Sequence, residues 1–288
     1  MILSKVKLVT FSPTGNSKKI AEAIAKGIQA PIEYIDLTPP SALTKEFDEF
    51  NDELAIIVSP VYVGRLPYET VLRLRRIIAN NTPAVLAVTY GNREYEDALL
   101  ELSDVATEVG FKPIAACAFI GEHSWSIPEK PVAEGRPDDE DLVQAEMFGK
   151  KIKEKFKGID DIGDVPSVKV PGSHPYTLSR DARPSARRFD PGKPFGPITN
   201  EEICSKCGKC EEVCPTAAVT LTNVISNPSP TTGVNVRLVT TDESACIWCC
   251  ACVRSCPTGA RIMRPRMLET TEWLYTNLSE RKEPETYL

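Results

Sequence analysis

Along the first half of the chain two hydrophobic rhythms alternate. Lys5–Phe11, Ile32–Leu37, Glu53–Ser59, Ala84–Tyr90 and Pro113–Gly121 are short apolar runs rich in Val and Ile. Runs of that length predict strands of a parallel sheet buried beneath helices. Between them, apolar residues recur at helical spacing over Ser17–Gln29, Tyr68–Ala79, Glu94–Val109 and Asp138–Phe156, with a weaker pattern over Ser41–Phe50. Strands and helices in alternation predict an α/β domain over residues 1–156, with helices on both faces of a sheet. Five strands fit a doubly wound parallel sheet of order 2-1-3-4-5.

The rhythm then breaks. Between 157 and 198 seven prolines and five glycines interrupt every periodic pattern, which predicts an extended proline-rich linker. From 199 to 265 cysteine takes over. Of ten cysteines, nine lie between Cys204 and Cys256, while Cys117 stands alone in an apolar run and reads as core. Residues 266–288 form a tail, with Trp273, Leu274 and Tyr275 in a short helical pattern that could pack on either domain.

The cysteines repeat. Cys204–Pro215 and Cys246–Pro257 share the spacing Cys-x2-Cys-x2-Cys-x3-Cys-Pro. Thiolates are soft anionic ligands that suit iron. Two-residue gaps let three sulfurs of one loop address one cubane, and the fourth cysteine, before proline, reaches the other. The spacing predicts one 4Fe–4S cluster on Cys204, Cys207, Cys210 and Cys256, and a second on Cys246, Cys249, Cys252 and Cys214. Zinc would need closed sets of four and leaves the duplicated three-plus-one pattern unexplained. Cys250 is a spare thiol, read as a small buried hydrophobe.

Residues 199–265 resemble the two-cluster bacterial ferredoxins, small α+β domains. The Cys-Pro-Thr-Ala-Ala and Cys-Pro-Thr-Gly-Ala segments match that family as well. There are two departures. The stretch between Cys214 and Cys246 is longer than in the smallest ferredoxins, with Asn227-Pro228-Ser229-Pro230 predicting the turn of a hairpin. Cys250 stands where glycine often follows the second cysteine, whereas the first motif keeps Gly208.

A second candidate site follows the first predicted strand. Ser12-Pro13-Thr14-Gly15-Asn16-Ser17 is a small, hydroxyl-rich loop at a helix start. Backbone N–H groups, the helix dipole and the hydroxyls of Ser12, Thr14 and Ser17 could hold a phosphate there. The alternative is an ordinary strand–helix turn with Ser17 as N-cap. The segment resembles the phosphate loop of flavodoxins, and the resemblance spans residues 5–156. It implies FMN, with Ser12, Thr14, Gly15, Asn16 and Ser17 around the phosphate. It also implies that two further loops flank the ring: Pro60, Val61, Tyr62, Val63 and Gly64 after the third strand, and Thr89, Tyr90, Gly91, Asn92 and Arg93 after the fourth. Tyr62 or Tyr90 could stack on the ring or merely pack at the sheet edge. On the same rim, His123 or Trp125 could cover the flavin, with His123 as a proton donor near its ordinary pKa, or His123 could be a plain surface hydrogen-bonder.

Together the two halves resemble the flavodoxin–ferredoxin fusion proteins of anaerobic bacteria and archaea. The resemblance implies an electron-transfer protein that passes electrons between FMN and two 4Fe–4S clusters and on to a protein redox partner. The alternative is a flavin-dependent reductase of a small molecule, fed by its own ferredoxin domain. No Gly-x-Gly-x-x-Gly fingerprint supports direct nicotinamide oxidation. A net charge of −6 argues against nucleic-acid or anionic-membrane partners. No apolar run approaches the ~20 residues of a membrane span, and no signal-peptide pattern opens the chain. Crowded thiols without a disulfide framework then lead us to expect a cytoplasmic location.

Overall fold

The computed structural model describes residues 5–50, 53–157, 165–177, 194–226 and 234–288. Its first half alternates as the hydrophobic pattern predicts: β1 (Val6–Thr10), α1 (Asn16–Ile28), β2 (Ile32–Asp36), β3 (Leu54–Pro60), α2 (Tyr68–Leu74), β4 (Thr82–Tyr90), α3 (Ala98–Glu108), β5 (Phe111–Ile120) and α4 (Asp139–Lys157). The parallel strands lie in the order 2-1-3-4-5, a flavodoxin-like doubly wound sheet. Alternate residues face opposite layers. Val9, Ile57, Leu86 and Val88 pack with residues of α2 and α3. Leu8, Ile56 and Val85 pack with α1 and α4. Each such fully buried side chain contributes about 1.5–3 kcal/mol.

Local chemistry shortens three of the predicted helices. Ser41–Phe50 yields only one 3-10 turn, Pro40–Leu43, behind Pro39. The helix from Tyr68 stops at Leu74, after which Arg76 and Ile77 bond three residues back as turns. α3 starts at Ala98 rather than Glu94. Asp97 before it turns its carboxylate to the N–H groups of Ser173 (3.0 Å) and Thr177 (2.7 Å). Residues 165–177 of the proline-rich stretch thus lie on the first domain, whereas Phe195 packs among the cysteines. Val165 joins the core of the first domain, and Val168 N–H donates to the Pro113 carbonyl at 2.9 Å.

The cysteine-rich region is built from β6 (Ile198–Thr199), α5 (Lys209–Glu212), β7 (Val219–Ser226), β8 (Val234–Thr241), α6 (Ala251–Arg254) and β9 (Arg261–Ile262). β7 and β8 form the expected antiparallel hairpin, while its turn at 227–230 lies outside the described residues. The internal repeat is also a backbone repeat. Lys206 and Trp248 both take left-handed φ values (56° and 57°), as do Gly208 and Cys250 (80° and 56°). Cys250 therefore occupies, at some strain, a conformation that glycine adopts freely.

The tail returns to the first domain. After α7 (Pro265–Asn277), β10 (Glu285–Tyr287) pairs antiparallel with β5, adding a sixth, edge strand to the five parallel ones. The two halves share one core: Ile247, Cys249 and Ala251 pack in the same cluster as Phe11, Leu37 and Leu66. Arg73, 3% exposed, reaches across this junction. Its Nη1 donates to the Leu37 and Thr38 carbonyls, and its Nη2 to the carbonyl of Pro215, next to Cys214.

Candidate functional site

Four parallel strands end on one rim, and their C-terminal loops enclose a cavity of about 470 Å³. That is the size of a small-ligand pocket. Ser12, Thr14, Asn16 and Ser17 line it, as do Pro60, Val61, Tyr62 and Val63, and Thr89, Tyr90, Gly91 and Arg93. Three predicted residues lie off its wall. Gly15 is the N-cap of α1 at φ 90°, a conformation that any Cβ would strain. The Ser12 hydroxyl accepts from the Lys18 N–H in the first turn at 3.1 Å, and Ser17 lies inside the helix rather than at the cap. Gly64 backs onto Glu96, whose Oε2 would stand 1.6 Å from an added Cβ. Asn92 faces the tail, donating from Nδ2 to the Leu278 and Glu280 carbonyls at 2.8 Å each.

The loops are held from behind. The Ser17 hydroxyl hydrogen-bonds to that of Thr89, tying α1 to the end of β4. Arg65 grips Glu101 on α3 through Nε (2.8 Å) and Nη2 (2.7 Å), and the Leu66 N–H donates to the same carboxylate at 3.0 Å. This buried, bidentate pair fixes the loop after β3.

The loop after β5 contributes more than the sequence disclosed. His123 and Trp125 line the cavity, with ring centroids 5.7 Å apart. The His123 Nδ1 accepts from the Trp125 N–H at 3.1 Å. Burial, with the guanidiniums of Arg254 and Arg93 adding to it, pushes the imidazole down to about 4. The expected proton donor is thus a neutral ring at neutral pH. The aromatic row continues from Trp125 to Phe195 (5.4 Å) and on to Trp248 (4.5 Å).

Ile247, Trp248, Thr270, Trp273 and Leu274 close the cavity from the cysteine-rich side. No periodicity marks these residues as cavity wall; only the docking of the two halves brings them there. Two buried polar atoms on wall residues have no protein partner, Trp248 Nε1 and Glu96 Oε2. Such orphans are rare unless a ligand satisfies them. With the loop hydroxyls and the N-terminus of α1, they fit a polar-edged, phosphorylated ligand such as FMN.

The cysteines form two groups. Cys204, Cys207, Cys210 and Cys256 line one small cavity together with Gly208 and Arg261. Cys207 is exposed, and Cys204 and Cys256 are partly so. The Lys209 backbone N–H is the main influence holding the Cys207 thiol below its ordinary pKa. Cys214, Cys246, Cys249 and Cys252 are all buried. Burial raises Cys249 and Cys252 and pushes Cys246 up to about 12, with members of the same four adding to the rise. Thiols in that state become ligands only with a metal present to displace the proton. Among the described residues no three His, Cys, Asp or Glu side chains converge on a single ion. A cubane asks for something else, since its thiolates bind iron at separate corners and surround a void. Both groups of four have the soft, anionic chemistry that fits it. Cys250 is 1% exposed, and burial raises its thiol well above the ordinary value. Cys117 is fully buried in the core, as the apolar run implies.

A family model described as a 4Fe-4S dicluster domain matches residues 203–260. No curated protein matches the chain. Among solved structures, a flavodoxin from Bacillus cereus is 19% identical, with 55% of this chain aligned to 100% of that one at a TM-score of 0.37. A flavodoxin from the domain Archaea is 18% identical, with 53% aligned to 99% at a TM-score of 0.34. At such scores the fold assignment rests on the strand order itself. Among the described residues no helix is long and apolar enough to cross a membrane. Strand order on one side and the family match on the other make this chain a fusion of a flavodoxin-like domain with a 4Fe–4S dicluster domain.

Proposed function

We propose that this protein transfers electrons between a bound FMN, two 4Fe–4S clusters and a redox partner protein. One observation carries the reading: Trp248 lies between Cys246 and Cys249 and also forms part of the cavity wall. The flavin cavity and one cysteine set thus share a residue. Tyr62 stands on the same junction, its phenol raised first by burial and then by the nearby Cys249. FMN exchanges electrons singly or in pairs and each cluster exchanges one, so the bound groups would convert between the two modes.

The chain's own residues give this arrangement a direction in space. The Ser12–Ser17 loop would hold the phosphate, and Tyr62 and Tyr90 offer aromatic faces beside the ring. Cys214, Cys246, Cys249 and Cys252 would hold the cluster beside the cavity. Cys204, Cys207, Cys210 and Cys256 would hold the outer one, where the exposure of Cys207 gives a partner its approach. The test is flash photoreduction of the flavin in the intact, anaerobically purified chain, followed at the cluster absorbance. Transfer at a rate independent of protein concentration supports the reading. A rate that scales with concentration, or a chain that binds neither group, overturns it.

One feature favours a second reading, a flavin-dependent reductase of a small molecule. Thr270, Trp273 and Leu274 of α7 roof the cavity, unlike a bare flavodoxin edge. Turnover of a small electron acceptor that competes with FMN-site fluorescence quenching would favour that alternative.

A further inference from the structure

Arg261 opens β9 and is 3% exposed. Its Nη1 donates to Thr199 Oγ1 at 2.8 Å. Three acceptors surround Nη2: the Pro197 carbonyl and Thr241 Oγ1, each at 3.0 Å, and Cys252 Sγ at 3.6 Å. Two protons cannot serve three acceptors fully, so the sulfur contact is largely one of charge. Nε is buried with no partner, although the side chain lines the cavity of Cys204, Cys207, Cys210 and Cys256. Among the described residues no carboxylate pairs with this guanidinium.

A buried cation with only neutral partners is costly, and an anionic neighbour offsets the cost. The anions within reach belong to both cysteine sets. Cys252 Sγ is the contact at 3.6 Å, and Cys210 lines the same small cavity as Arg261. Cluster potentials respond to net charge, to hydrogen bonds on the sulfurs and to burial. Reduction adds one electron to a cluster, and a fixed cation alongside favours the more negative state.

We propose that Arg261 is a shared electrostatic tuner, wedged between the two cluster sites, that stabilises the reduced form of each and raises both potentials. The inference rests on the reading that both cysteine sets carry 4Fe–4S clusters. It adds a positioning residue to that reading and makes the two clusters electrostatic neighbours through a single side chain.

The experiment is an anaerobic redox titration of the full chain, monitored by electron paramagnetic resonance, with iron and acid-labile sulfide assayed on each sample. In Arg261→Gln with its iron retained, the reduced-to-oxidised ratio at a fixed potential falls at least tenfold for both clusters, a shift of about 59 mV for one electron. Arg261→Lys keeps the charge and shifts less. Arg264→Gln, whose native bonds go to the Gly196 carbonyl and Glu243, leaves both potentials in place. Clusters kept in Arg261→Lys but lost in Arg261→Gln also support the proposal, because Lys keeps the positive charge that Gln removes. Unchanged potentials in a fully loaded Arg261→Gln overturn it. So does loss of clusters in both Arg261 variants, which would make the bonds to Pro197, Thr199 and Thr241 the whole role. Wild-type protein without iron and sulfide would instead overturn the cluster reading beneath it.

Discussion

The indole of Trp125 donates its Nε1–H to the backbone carbonyl of Trp248 at 2.7 Å. That bond fastens the rim loop after β5 to the loop between Cys246 and Cys249. Around it, Arg254 on α6 donates to the carbonyl of His123 (2.7 Å) and to Glu122 (2.8 Å), and Thr271 on α7 donates to the Trp125 carbonyl (3.2 Å). The cavity wall and the Cys246–Cys249 loop are therefore one mechanical unit.

Trp125→Phe keeps an aromatic ring but removes the donor, leaving the Trp248 carbonyl without this partner. The expected loss is about 1 kcal/mol of stability, the usual net value of one such bond. Flavin-to-cluster transfer should slow in the flash experiment while iron content stays unchanged. Wild-type transfer rates in Trp125→Phe would show that the docking does not depend on this contact.

Loaded protein should carry about eight irons and eight acid-labile sulfides per chain, as two cubanes require. Cys207→Ala should lose the outer cluster first, because Cys207 is the exposed member of its set. Iron and sulfide assays with absorbance spectra read this directly. Stoichiometric zinc without sulfide would replace the cubane reading.

The Ser12–Ser17 loop should discriminate FMN from riboflavin, since its donors address the phosphate rather than the ring. Thr14→Ala should weaken FMN by roughly 1–2 kcal/mol and leave riboflavin almost untouched. Fluorescence titration of the flavin-free protein measures both. Equal affinities for the two flavins in the wild type would reduce the loop to a turn.

His123 predicts a pH dependence with a definite sign. Its pKa, about 4 when folded, lies below the ~6.5 of a free imidazole. Between those values the unfolded chain takes up a proton that the folded one refuses. Its contribution to stability is complete above pH ~6.5 and is lost as the pH falls toward 4. Urea midpoints at pH 7 and pH 5 should differ more in the wild type than in His123→Gln. An equal fall in both would assign the acid sensitivity to other groups.

The sequence alone determined the elements whose physics is local. Continuous apolar runs such as Ala84–Tyr90 have one stable home, a strand covered on both faces, and such runs alternating with helices leave little choice of fold, although β2 at the sheet edge leaves Ile32 and Tyr34 exposed. The cysteine spacing was equally legible, because the short gaps within Cys204–Cys214 and Cys246–Cys256 are covalent limits on where sulfurs can reach. Most of the cavity wall after β1, β3 and β4 followed from strand ends. What tertiary structure decided is everything that depends on surfaces meeting. Asn92, an expected cofactor residue, turned to the tail because residues 278–280 dock there. Trp248 and Trp273 became cavity wall only once the second half packed on the first, a contact without period or motif. The imidazole of His123 left its ordinary range because the assembled molecule buries it, and a guanidinium from α6, 131 residues along the chain, adds to that shift. Burial and long-range charge are properties of the assembled molecule, and no local pattern of residues encodes them.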